Sequence, residues 1–434
     1  MADRARRRTY AALRVPNFRL FFAGQSVSLV GTWMQIIGQS WLVLELSGSG
    51  TVLGAVTALQ FLPMLLGGPY GGLLADRSDK RRLLLATQST LAVLALLLGL
   101  LTVTHAVRLW MVVVFAVALG VVNAVDSPTR QTFVPEIVGP GMLRNAVSLN
   151  SVMVNAARTL GPALAGVLIA GAGVGVCFLA NAASFVAVLL ALCLMRTEQL
   201  MPTVAVVRGR GQLAEGLRYV RGTAGLWVPL TMMALVGTLA FEFQVVLPLL
   251  ARVTLHGGAR TYGFLTSAMG LGAVAGGLTV AARGRVGVVP AAVAAAGFGA
   301  ALVVAAAVTW LPGELAALAC AGFSSTAFLA TCNTTLQLIS APAFRGRVMA
   351  LWSVTFLGST PVGGPVVGAV AQHLGPRAGL ALGAAACLAA AALGLLALPL
   401  IPRRQRRFDS ENGENDAHDD EGERPVGTDP KGGP

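Results

Sequence analysis

Apolar residues fill long stretches of this chain, and polar residues are confined to short intervals between them. A helix needs roughly 20 mainly apolar residues to cross a bilayer. Twelve stretches meet that requirement, at about 20–46, 51–75, 83–104, 109–132, 146–170, 174–195, 226–250, 262–282, 287–310, 313–339, 347–371 and 378–401. The pattern predicts an all-α membrane protein with twelve transmembrane helices.

A repeated sequence divides the twelve predicted spans into two halves of six. Residues 144–166 align with residues 347–369 at a constant offset, which pairs Gly161 with Gly364. Duplicated halves are typical of secondary transporters, whose substrate site lies at the interface of the halves. The predicted parts are a basic cytoplasmic N-terminus, a first half, a central cytoplasmic linker, a second half and a disordered acidic tail, at 1–19, 20–195, 196–225, 226–402 and 403–434.

Composition supports a membrane protein over a soluble one. Only 12% of the residues are charged, and the mean hydropathy is +0.72, whereas soluble domains are about 25% charged. The formal net charge is +13, but the basic residues lie between apolar spans. Lipid headgroups and topology explain that placement better than nucleic acid does.

The basic residues also predict the orientation. With twelve spans, 25 lysines and arginines fall on the side of the termini and four on the other side. Loops rich in lysine and arginine stay in the cytoplasm. We therefore expect a multi-pass protein of the plasma (inner) membrane, with both termini cytoplasmic. The short segment 212–221 is expected to form an interfacial helix.

The loop between the second and third predicted spans carries the most specific motif. It has the spacing G-x-x-x-D-R-x-x-K-R, formed by Gly72, Asp76, Arg77, Lys80 and Arg81. This motif resembles the signature of the major facilitator superfamily. The resemblance implies that Asp76 and Arg77 bridge the two halves at the cytoplasmic face in one conformation of an alternating-access cycle. A basic loop that only sets topology is the alternative.

Further segments narrow the resemblance to one branch of that superfamily. They lie at 17–35, 41–49, 75–85, 126–138 and 157–166. Together they resemble the drug:proton antiporter branch, which includes macrolide-efflux proteins and the enterobactin exporter. Members of that branch expel substrates in exchange for protons.

The fifth predicted span contains a motif similar to the fifth-helix motif of those antiporters. It includes Gly161, Pro162 and Gly166. Glycine permits close packing of helices, and proline permits a local bend. The motif favours export over import.

Polar residues inside the spans predict a cavity. Several recur at helical spacing, which places them on one face of their span. Because a polar stripe facing lipid is costly, these faces are expected to meet a wet cavity or another helix. The residues predicted to line a substrate cavity are Thr32, Gln35, Gln39, Asn123, Asn155, Arg158 and Thr238. Hydrogen bonding between helices, without substrate contact, is the alternative.

Charged residues inside the spans are few, and each costs roughly 2.5–3.5 kcal/mol at mid-helix. Glu242 and Asp126 are the predicted proton-coupling residues. The sequence leaves two roles for Asp126, which are proton coupling and a structural pair with Arg130 or Arg158. It also leaves two roles for Arg158, which are such a pair and contact with an anion or a substrate.

These observations predict a proton-coupled exporter, or antiporter, of amphipathic small molecules such as drugs, macrolides or siderophores. The alternative is an importer or lipid flippase of the same superfamily. The chain has no G-x-x-x-x-G-K-[ST] loop, so ATP hydrolysis is not expected. We expect no enzymatic activity, no metal or other cofactor, no nucleic-acid partner and a monomer driven by the proton gradient.

Overall fold

The computed structural model describes residues 11–201, 212–283, 286–341 and 344–400. The described residues contain twelve helices long and apolar enough to cross a membrane, and no β-strand. This confirms the predicted all-α, twelve-span fold. Spans 1 to 12 are Pro16–Ser47, Gly50–Arg77, Lys80–Val103, Leu109–Val138, Leu143–Ala172, Val174–Leu194, Ala224–Thr254, Ala259–Arg283, Val288–Ala307, Leu311–Ile339, Arg345–His373 and Pro376–Leu396.

Short helices outside the spans complete the described structure. They are Ala11–Arg14, Thr197–Gln199, Gln212–Arg221 and Leu398–Leu400. The helix predicted over 212–221 is therefore present. Residues 1–10 of the predicted N-terminal segment lie outside the described residues. So do residues 202–211 of the linker and the whole of the predicted acidic tail, 403–434.

The linker helix is attached to the start of span 11. Glu215 forms an ion pair with Arg347, at 2.8 Å between Oε2 and Nη1. The Tyr219 ring stacks on Phe344 with centroids 4.4 Å apart, and the Tyr219 hydroxyl accepts a hydrogen bond from the amide of Ala341. These contacts join the connection between the halves to the second half.

Span 7, predicted over 226–250, is present but is interrupted near its centre, a feature that the sequence analysis did not predict. It consists of helices Ala224–Ala240 and Phe243–Leu249, followed by a π-helical turn. Glu242 lies in the break, with φ −82° and ψ 40°. The amides of Val245 and Val246 both donate to the Glu242 carbonyl, so a new helix begins at this carboxylic acid.

The two halves contact each other through two equivalent pairs of spans. Span 2 packs on span 11, and span 5 packs on span 8. Glycine lets the backbones touch. A Cβ on Gly54 would lie 2.1 Å from the Gly364 carbonyl oxygen, and one on Gly263 would lie 2.8 Å from the Gly166 Cα.

The halves are joined at one end of the bundle. We call the end that holds the span 2–3 and span 4–5 connections the basic end, and the other the opposite end. At the opposite end, Arg252 Nη1 donates to the Leu44 carbonyl at 2.7 Å, and Trp41 stacks on Tyr262 with centroids 6.4 Å apart. The amide of Gly50 also donates to the Gln372 side chain there. These contacts link spans of the first half to spans of the second.

Candidate functional site

A cavity of about 400 Å³ lies between the halves, within the usual size range of ligand pockets. The face of span 1 predicted from its polar spacing lines this cavity. Six predicted residues contribute to the lining: Thr32, Gln35, Gln39, Asn123, Asp126 and Arg158. The structure therefore brings spans 1, 4 and 5 to one site.

Two other predicted residues, Asn155 and Thr238, do not line the cavity, contrary to the prediction. The Asn155 side chain donates to the Ser151 carbonyl, and the Thr238 hydroxyl donates to the Ala234 carbonyl. Each side chain is therefore bonded to the carbonyl one turn earlier in its own helix. A span therefore presents only part of its polar face to the cavity.

The cavity is closed towards the opposite end. Beyond Gln39 and Gln60 the space narrows to about 10 Å³, which is room for no more than about one water molecule. This constriction lies among Val43, Leu53, Val56 and Thr57, all of them buried. On span 4 the lining extends towards the basic end as far as Arg130.

Amide pairs fix the polar side chains of the lining. Gln39 Nε2 donates to Gln60 Oε1 at 2.8 Å, and Asn181 Nδ2 donates to Gln35 Oε1 at 2.6 Å. The sequence prediction missed Gln60 and Asn181. Both are polar residues within apolar spans, which is the feature that identified the other lining residues. The pairs tie span 1 to spans 2 and 6.

Asp126 is held by neutral donors. It is 1% exposed and accepts hydrogen bonds from Thr87 Oγ1 and Gln88 Nε2, both at 2.8 Å to Oδ1. An ion pair with Arg130 or Arg158, one of the alternatives raised from the sequence, is not formed within the described residues. Instead of an ion pair, a hydroxyl and an amide group of span 3 stabilise the Asp126 carboxylate.

Arg158 lies over the face of Trp33, with Cζ 5.1 Å from the ring centroid. Such a cation–π contact attracts a guanidinium electrostatically. Gly161 makes the approach possible, since a Cβ there would lie 2.5 Å from the Trp33 Cβ. No described residue forms a hydrogen bond or an ion pair with the Arg158 side chain.

Glu242 lies directly behind the cavity wall. It is 3% exposed, and its neighbour Phe241 lines the cavity. Thr360, which also belongs to the lining, lies beside the Glu242 carboxylate. Its Oε1 has no hydrogen-bond partner within the described residues and faces the backbone of span 11 at Gly363. The break in span 7 thus places a buried carboxyl group beside the cavity but outside it.

The loop motif packs within the first half. Lys80 Nζ forms a buried ion pair with Glu136 Oε1 at 2.5 Å, which joins span 3 to span 4. Arg81 Nε donates to the Leu192 carbonyl of span 6 at 2.7 Å. Span 4 continues six residues past the predicted end at 132, which allows Glu136 to reach the motif.

The two residues predicted to bridge the halves, Asp76 and Arg77, form no ion pair with a described residue in this conformation. Asp76 is half-buried, and Arg77 is exposed. Gly72 is half-buried near the end of span 2. The conformation described, with the halves joined at the opposite end, is one in which the motif does not bridge them.

Lys80→Met is expected to lower stability by roughly 3 kcal/mol, because it removes one partner of a buried ion pair. The measurement is the apparent unfolding transition of the purified protein in detergent. Arg82→Gln is the control. Its pair with Asp79 is exposed on both sides, and exposed pairs contribute little. Equal transitions for the two variants would contradict the expectation.

The fifth-helix motif forms part of the contact between the halves. Gly166 approaches Gly263 of span 8, and a Cβ on Gly263 would lie 2.6 Å from the Pro162 carbonyl oxygen. Gly161, one turn earlier, approaches span 1. The motif therefore lets span 5 contact one span of each half at backbone distance.

Comparisons with known proteins agree with this architecture. A family model described as transmembrane secretion effector matches residues 7–422. The fold is also similar to that of a bacterial homologue of the human lysosomal transporter Spinster, solved in an inward-facing and unoccupied conformation. The TM-score is 0.65 and the sequence identity 16%, and the match covers 92% of this chain and 98% of that one.

Three curated relatives are named as transporters of small molecules. The staphyloferrin A transporter of Staphylococcus aureus is 34% identical over 40% of this chain and 44% of its own length. Macrolide efflux protein A of Streptococcus pyogenes is 24% identical over 35% and 38%. The chain thus spans less than half the length of these two relatives. The enterobactin exporter EntS of Citrobacter koseri is 24% identical over 84% of this chain and 87% of its own.

Proposed function

Because this chain belongs to the transmembrane secretion effector family of the major facilitator superfamily, we propose that it is an exporter of amphipathic small molecules that exchanges them for protons. It is a multi-pass membrane transporter and not an enzyme. The proposed substrates are compounds such as drugs, macrolides or siderophores. The names of the relatives support the direction, since two of them are an efflux protein and an exporter.

The single observation that carries the proposal is a cavity between the halves that is constricted towards the opposite end and extends towards the basic end. The constriction at Val43 and Leu53 blocks the opposite end, while the lining reaches Arg130 towards the basic end. A transporter of this fold works by rocking one half against the other around a fixed site. We place the basic end in the cytoplasm, as its arginines and lysines favour, so the cavity accepts substrate from the cytoplasm or the inner leaflet.

The lining suits a molecule with both polar and apolar parts. Phe61, Phe185 and Phe356 offer apolar surface, while the Gln39–Gln60 pair offers amide groups. Binding pockets for small molecules combine mainly apolar walls with a few placed polar groups. This composition supports an amphipathic substrate over a sugar or an inorganic ion.

Proton coupling is assigned to Glu242, with Asp126 as the second acid. A buried carboxyl group is far less costly when protonated than when charged. Loss or gain of a proton on Glu242 would change the charge directly behind Thr360 and Phe241. Such a change gives the two conformations different stabilities, as coupling requires. Neither a cofactor nor ATP is part of this mechanism.

Asp76 and Arg77 are proposed to act in the other conformation. When the basic end closes, span 2 approaches the second half and brings the motif to it. The charged residues would then bridge the halves and stabilise the state that is open on the opposite side. Their present lack of ion-pair partners among the described residues is consistent with a basic end that is not closed.

The test is uptake into inverted membrane vesicles of a panel of lipophilic dyes, macrolides and siderophores. An imposed proton gradient drives the uptake, and a protonophore serves as the control. Gradient-dependent uptake of a panel member supports proton-coupled export. Accumulation only in right-side-out vesicles would favour an importer, and transfer of a labelled lipid between leaflets would favour a flippase.

A further inference from the structure

We propose that the cavity selects amphipathic anions and that Arg158, held over Trp33, binds their anionic group. The inference rests on the proposed function only in taking this cavity as the substrate site. The polar and apolar composition of the lining supports an amphipathic substrate but does not define its charge. The inference adds that this charge is negative.

The charges of the lining favour an anion. The cavity is lined by three charged side chains, Asp126, Arg130 and Arg158. Asp126 already accepts two hydrogen bonds from Thr87 and Gln88. Neither arginine has an acceptor among the described residues. The lining therefore has an excess of positive charge and unused donors.

The position of Arg158 suits it to bind a ligand. Trp33 holds the guanidinium by contact with its ring face, and a ring face provides no hydrogen-bond acceptor along the edge of the guanidinium. A guanidinium presents five donors in a rigid plane that matches a carboxylate or similar oxyanion in bidentate fashion. A cation inside a membrane protein is costly without an opposing charge. An anionic ligand would supply that charge.

The rest of the wall accommodates the body of such a ligand. Four phenylalanines, Phe61, Phe185, Phe241 and Phe356, line the same cavity. Aromatic surfaces pack against apolar or aromatic groups. The expected ligand class is therefore a lipophilic or aromatic molecule that carries a carboxylate or a comparable oxyanion.

The experiment compares two dyes with the same xanthene ring system but opposite charge near neutral pH, anionic fluorescein and cationic rhodamine 123. Binding to the purified full-length chain in detergent is followed by fluorescence anisotropy, without any gradient. We expect fluorescein to bind at least about tenfold more tightly than rhodamine 123. Arg158→Gln should weaken fluorescein binding about tenfold or more, as expected for the loss of a charge-assisted hydrogen bond, and should not weaken rhodamine 123.

Arg260→Gln is the matched control. Arg260 also lies over an aromatic ring, that of Phe264, at 5.5 Å, but it is exposed at the opposite end and outside the lining. This variant should bind fluorescein as the unmodified chain does. Arg158→Lys keeps the charge without the planar fork, so its fluorescein affinity should be intermediate. That order among the variants is not expected from unfolding, which would weaken both dyes together.

Other outcomes overturn the inference. Failure of the unmodified chain to prefer fluorescein would exclude selection of anions. Unchanged fluorescein binding in Arg158→Gln would leave Arg158 as a structural partner of Trp33. The result is independent of proton coupling: Arg158-dependent binding without gradient-driven uptake in vesicles would count against the proposed function alone.

Discussion

Glu242→Gln is expected to abolish gradient-driven accumulation of substrate while substrate exchange across the membrane continues. The amide keeps the shape and polarity of the side chain but cannot lose or gain a proton. Because Glu242 lies behind the cavity wall and not in the lining, substrate still binds. The expected fall in accumulation is at least about tenfold. A factor of this size corresponds to a typical coupling free energy between two sites of one protein. The measurement is paired uptake and counterflow in vesicles.

A second buried acid offers the control for this experiment. Glu314, in the first turn of span 10, is 0% exposed, and neither of its carboxylate oxygens has a hydrogen-bond partner among the described residues. It lies near Arg377 and outside the cavity lining. Glu314→Gln should keep gradient-driven accumulation. Normal accumulation by Glu242→Gln would remove Glu242 from the coupling mechanism and direct attention to Asp126.

Gly54→Ala is expected to reduce transport by about tenfold or more by preventing closure of the opposite end. A methyl group at this position would lie 2.1 Å from the carbonyl oxygen of Gly364 and 2.7 Å from its carbonyl carbon. Both are backbone atoms, so no side chain can move aside. Spans 2 and 11 would have to separate, which shifts the population towards the state that is open at the opposite end.

A cysteine at Thr57 reports that shift. Thr57 is 5% exposed and lies in the constriction beyond the cavity, so a membrane-impermeant maleimide should label it faster in the Gly54→Ala background. Gly171→Ala is the control, because no atom lies within 4 Å of a Cβ placed there. Unchanged labelling and transport in Gly54→Ala would show that the glycine contact is not required for closure.

Hydrophobic spacing predicted the architecture because each span must be long, apolar and internally hydrogen-bonded to cross a membrane. That requirement acts within one span, so the sequence reveals it directly. The division into two halves of six spans followed from the repeat, whereas the pairing of span 5 with span 8 and of span 2 with span 11 is known only from the structure. The break in span 7 did not follow, since neither proline nor glycine lies at Phe241 or Glu242.

The site was less predictable, because periodicity states which residues share a face but not which neighbour that face meets. Thr32 and Gln39 reach the cavity, whereas Asn155 and Thr238 turn back to their own helices. The rotation of each span is fixed by contacts between distant spans, such as that of Gly161 with Trp33. Contacts of that kind leave no periodic signal in a single sequence.

The cavity is lined very unequally by the two halves. All but five of its lining residues belong to the first half, and the five exceptions are Phe241, Gln244, Phe356, Ser359 and Thr360. Glu242, the proposed proton carrier, belongs to the second half. Substitutions in the first half can therefore alter which compound the cavity accepts without touching the proposed proton carrier. Under this arrangement, a lineage facing a new toxin can change specificity and keep its energy source, with the two traits evolving in separate parts of one gene.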